Sequence, residues 1–235
     1  MQLRRQEAIA IAVPYFIAIG ACYLFGYWGA FNVNVLEFID LADLAKLAIY
    51  PLIGSVLAWL AGMVIAELFM APTFPPGGGA GTPVGVFLVK HRHLMMKINL
   101  VAIVAVCFFA SEPTKWLVVA GLIAPLSVSL SQLPPIVEVL PDSRIRSFVF
   151  YLLLALPLLG FYHGRTQAYM VAHGRAPQYV DIARSGLALV GDAKEPVAYL
   201  GAIGGVYVLR EAKTGQIVFV RQGVDKPLFI ASKAQ

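Results

Sequence analysis

The chain has 235 residues, 59% of them hydrophobic and only 13% charged, with a formal net charge of +5 and a mean hydropathy of +0.76. Soluble domains carry about 25% charged residues, so a water-soluble globule of this composition would lack the polar surface to cover itself. The lysines and arginines are scattered, without a long basic block or stripe, which argues against nucleic acid as a partner.

The first apolar run, 8–30, follows Met-Gln-Leu-Arg-Arg and ends in Tyr23, Phe25, Tyr27 and Trp28. It is too long for the core of a signal peptide and is expected to be an uncleaved membrane helix with an aromatic cluster at headgroup level. Residues 34–46 place Glu37, Asp40 and Asp43 at every third position among apolar residues, the pattern of a short helix lying in the interface. A second span is expected over 47–70. The stretch from Pro72 to Pro83 is rich in Gly and Pro and reads as a linker, because no Gly-Lys-Ser/Thr ends it as a phosphate loop requires.

Further spans are expected over 94–110, 116–130 and 147–162. The fourth is interrupted by Pro125 and is the one that could be re-entrant. Cys22 and Cys107 both sit in apolar runs, which favours packing over a disulfide. From His163 onward charge returns, and residues 163–235 read as a small soluble β-rich domain. Val206–Arg210 and Ile217–Arg221 flank a Gly-containing turn, the signal of a hairpin. Val197–Leu200 and Leu228–Ile230 are further strand candidates. The fold class that follows is a mainly α-helical polytopic membrane protein of about five transmembrane helices with a small C-terminal β-rich domain.

Cations set topology. With the N-terminus inside, Arg4, Arg5, Lys90, Arg92, Lys97, Arg144 and Arg146 fall on the inner side, and Lys46 and Lys115 on the outer. That places the C-terminal domain outside the cytoplasm, with a bacterial inner membrane as the expected location. Two stripes of small residues at four-residue spacing suggest that the first and second helices pack closely on each other: Ala18, Cys22, Gly26 and Ala30 on the first run, Gly54, Ala58, Gly62 and Ala66 on the second. Glu67 and Lys97 fall at similar depth near the inner ends of their helices, where they either pair, snorkel or mark an ion path. The hairpin offers Arg210, Glu211, Lys213 and Arg221 as a partner surface.

No catalytic motif, metal-ligand spacing or cofactor fingerprint stands out, and none of these is expected. Two functions compete. The first is a non-enzymatic membrane-anchored binding, sensing or immunity-type accessory module, with the bilayer and a protein partner or a second copy as its contacts. The second is an oligomeric channel or small transporter, which would need polar residues along an interior path.

Overall fold

A computed structural model describes residues 5–34, 53, 82–185, 197–203, 205–211, 213–221 and 228–232. Apart from Asn34 and Ile53, the expected interfacial helix and the second apolar run lie outside these described residues, and Gly54, Ala58, Gly62, Ala66 and Glu67 with them.

The first apolar run folds as α1 (Arg5–Trp28), and a 3-10 turn over Gly29–Phe31 closes it. After α2 (Pro83–Lys90) come α3 (Arg92–Phe109), α4 (Thr114–Leu122), α5 (Ala124–Ser131), α6 (Pro134–Val139) and the 30-residue α7 (Ser143–Ala172). Only Ile123 separates α4 from α5. Pro125 lies in the first turn of α5, where its missing N–H would have had no helical partner, so it starts a helix instead of ending one.

Three stretches of the described residues are helical, long and apolar enough to cross a membrane: Val13–Phe31, Thr114–Ser131 and Arg146–Ala172. This is fewer than the five expected. The third expected span, 94–110, folds as the apolar helix His93–Phe109, which is shorter than these three; Ala110 is extended (ψ 148°) and ends α3. The last span is longer than expected: α7 continues ten residues past Tyr162, through the charges that mark the change in composition.

The helices α1 and α7 run parallel in close contact. The Tyr15 hydroxyl donates to the carbonyls of Leu152 and Leu153 at 3.0 and 3.2 Å. One to three turns further on, Gly160 and Gly164 face the α1 backbone at Ile19 and Tyr23, and Gly26 faces the α7 backbone at Phe161 and Arg165. A Cβ at Gly164 would overlap the Tyr23 carbonyl oxygen, and one at Gly26 that of Phe161. Backbones approach this closely only where side chains are absent. Gly26 is thus the member of its stripe that makes the contact, while Cys22 is half-buried and Ala18 and Ala30 are exposed. The partner stripe is Gly160, Gly164 and Ala168 on α7.

Beside this pair, α4 and α5 descend along α7. Trp116 meets Phe161 edge-on at 4.8 Å near one end, and the Ser131 and Ser147 hydroxyls lie 3.4 Å apart near the other. The helix α3 runs opposite to them, and the Ser129 hydroxyl donates to the Met96 sulfur at 3.2 Å.

The C-terminal part forms one antiparallel sheet in the order β4-β3-β2-β1-β5, from β1 (Gln178–Val180), β2 (Val197–Ile203), β3 (Val206–Glu211), β4 (Ile217–Arg221) and β5 (Ile230–Ser232). Side chains alternate across it. Ala198, Leu200, Ile203 and Val208 pack on Leu24, Tyr27, Trp28, Ala168 and Val171 of the helices. The opposite face buries Val180, Val197 and Leu209 under Tyr199, Tyr207, Val218, Val220 and Leu228. There, burial and the neighbouring Tyr207 push the Tyr199 phenol above its ordinary pKa. A short helix, α8 (Ile182–Ser185), follows β1, and its Ser185 hydroxyl accepts from the Phe229 amide at 3.0 Å, tying β5 in place.

Candidate functional site

Where the sheet meets the two parallel helices, a cavity of about 390 Å³ remains. Tyr23 and Tyr27, one turn apart on α1, project to the same side, with parallel rings 6.3 Å apart. Trp28 stands edge-on to Tyr27 at 5.1 Å. On α7, His163 tilts against Tyr23 at 5.8 Å, and Gln167 follows one turn later. Among the described residues, no charged side chain lines the cavity.

The sheet closes the cavity through a bulge. Tyr199 pairs with Leu209 and Gly201 with Val208, so Leu200 is an extra residue in β2. Both Leu200 and Gly201 consequently face the helices. The Tyr27 hydroxyl donates to the Leu200 carbonyl at 2.9 Å in a buried bond. Gly201 lies against the indole of Trp28, and a Cβ there would stand 3.3 Å from the ring. The bulge therefore lets β2 seat on Trp28 while its backbone is held by Tyr27. Neither the His163 ring nitrogens nor the Gln167 amide makes a hydrogen bond to the protein among the described residues. Both are left to face the cavity.

Two polar clusters flank this site at different heights. Glu112 accepts from the Trp116 indole at 3.0 Å and pairs with Lys115 at 2.7 Å and with Arg165 at 3.6 Å, linking the α3–α4 corner to α7. Nineteen residues earlier on α7, Arg146 is 4% exposed. Its guanidinium donates to the carbonyls of Leu140 and Pro141 at 2.8 and 3.1 Å and to Gln132 at 3.1 Å, while its Nε has no partner among the described residues. It holds the end of α6 and of α5 against the start of α7. Among the described residues, no three His, Cys, Asp or Glu come together as a metal site.

The residues expected to carry function are dispersed. Lys97 is exposed on α3, beside Asn99, Leu100 and Leu126. In the hairpin, Arg210 pairs in register with Ile217 near the turn, whereas Arg221 pairs with Val206 at the other end of the ladder. Glu211 belongs to the opposite face from Arg210 by alternation and accepts from the Thr214 hydroxyl inside the turn. Lys213 is exposed in that turn. The four residues therefore do not gather into one patch. The cavity-lining residues were visible in the sequence as an aromatic cluster and a histidine near the last span, but their convergence depends on the parallel packing of α1 and α7.

No protein-family model, no curated protein and no solved structure matches this chain.

Proposed function

We propose that the chain is a non-enzymatic integral membrane protein in which the helices hold the sheet at the membrane surface as a binding and sensing module, with the junction cavity as the ligand site. The observation that carries this reading is the cavity itself. Its volume of about 390 Å³ lies in the range of ligand pockets, roughly 300–1,000 Å³. It is built jointly by the first helix, the last long helix and the sheet, so an occupant touches all three parts at once. A ligand there acts on the seating of the sheet, and the β3–β4 hairpin presents the outcome to a protein partner.

Depth supports the placement. Arg146 and Arg165 bracket a stretch of α7 that is free of Asp, Glu, Lys and Arg. At 1.5 Å per residue their separation is about 28 Å, close to the roughly 30 Å of a hydrocarbon core. Arg165, Glu112 and Lys115 then stand at one headgroup level, and the cavity opens at that level. The basic residues of the other end, Arg92, Lys97 and Arg146, favour the cytoplasmic side. Reporter fusions after Arg146 and after Gln235 are expected to report cytoplasmic and extracytoplasmic positions respectively. Cytoplasmic activity at Gln235 would reverse the placement of the sheet.

The binding reading is tested by native mass spectrometry of protein released from its own membrane. The wild type is expected to carry a non-protein mass that the cavity-filling variant Gln167→Trp loses. If both proteins fly without added mass, or both retain the same one, the cavity is not the site.

A further inference from the structure

The geometry points to the occupant's chemical class: the ring of a lipid-soluble quinone, with its apolar tail left in the bilayer. This rests on the cavity being a ligand site. Among the described residues the walls carry no charged side chain, and an ionised ligand buried against them would stay uncompensated, which is costly. The occupant is therefore neutral. Tyr23, Tyr27, Trp28 and His163 offer flat faces and edges, which suit a planar ring.

The polar groups narrow the class further. Besides the Trp28 indole N–H, His163 and Gln167 are the side chains of the described cavity wall with unused donors. They stand one helical turn apart on one face of α7, a spacing of about 5–6 Å between Cβ atoms. A quinone ring has carbonyl oxygens at opposite edges, across a comparable distance. Those oxygens only accept, which complements an imidazole N–H and an amide NH₂. A simple fatty alcohol offers one polar group and no plane, and a phospholipid headgroup brings a phosphate for which the described cavity wall has no cation. The cavity holds a ring and a short length of chain, so a long tail must leave it, and the placement of the cavity at headgroup level gives it lipid to enter.

The probe is decylubiquinone, titrated into the full-length protein in phosphatidylcholine nanodiscs, with decanol as the comparison. Saturable thermal stabilisation by decylubiquinone and none by decanol is expected. Replacing either donor by an apolar group of similar size, Gln167→Leu or His163→Phe, is expected to weaken binding about tenfold, the loss of one hydrogen bond in a dry site. Gln167→Met serves in place of Gln167→Leu if the leucine variant melts without ligand below the wild type. Equal stabilisation by decanol, or binding that neither substitution weakens, overturns the quinone assignment. If native protein carries a cavity-dependent mass that decylubiquinone does not displace, the ligand class is wrong and the binding site stands. If neither the mass nor quinone binding is found, both readings fall.

Discussion

Gly164→Leu is expected to unfold the helix pair, with a loss of about 3 kcal/mol or more. Overpacking within a core typically costs about 1–3 kcal/mol because side chains and backbone can shift. At Gly164 the obstruction is backbone, the Tyr23 carbonyl and the Tyr27 amide of α1, so relief requires the helices to part. That movement also strips Leu24 and Trp28 from the sheet. Gly121→Leu on α4 is the control, since a Cβ there meets nothing within 4 Å, and helix propensity favours the change. Thermal unfolding in detergent should show a large drop for the first variant and almost none for the second. Equal melting temperatures would mean that α1 and α7 are not in the contact described.

The second large effect is expected at Arg146. Its substitution by methionine keeps the volume and removes three donated hydrogen bonds from a site that is 4% exposed. Bonds from a charged donor contribute about 1.5–3 kcal/mol each, and the buried acceptors left behind add their own desolvation cost. Part of this is offset because an unpaired buried charge disappears as well. A net loss of about 3 kcal/mol is expected, with local opening at residues 132–146 visible by hydrogen exchange. Arg146→Lys should recover only a fraction, because a point charge cannot span the Gln132 amide and two carbonyls as the planar fork does. Arg184→Met is the comparison: that side chain is 76% exposed and its pair with Asp181 is long at 3.8 Å, so a change within about 0.5 kcal/mol is expected.

Much of the architecture was legible because its signals are local. The apolar runs at 8–30 and 116–130 became helices, and the hairpin formed where β-branched runs flank Lys213-Thr214-Gly215. The end of α7 lies beyond its expected limit at Tyr162, because the charge that returns after it, Arg165, sits inside the helix and does not end it. The stripe Gly160, Gly164, Ala168 crosses that limit at helical spacing and was the signal that the helix continues. The strand β1 was not legible. It has three residues, and it is a strand because β2 and β5 pair with it on both sides, which no local pattern reveals. The cavity was hidden for the same reason: Tyr23 and His163 are 140 positions apart in sequence, and only the register of α1 on α7 makes them neighbours.

The parallel pairing of α1 with α7 also bears on how the protein is made. Synthesis runs from the N-terminus, and early segments fold as they emerge, yet the surface of α1 that carries Tyr15, Ile19 and Gly26 finds its partner only when residues 152–165 have been translated. Until then the face of the first helix that carries Gly26 has no α7 backbone to pack on. The sheet waits longer, since Leu200 and Gly201, which seat on Tyr27 and Trp28, are made later still. Of the described elements the first to be made is therefore among the last to be locked, and that locking is timed by residues 152–201.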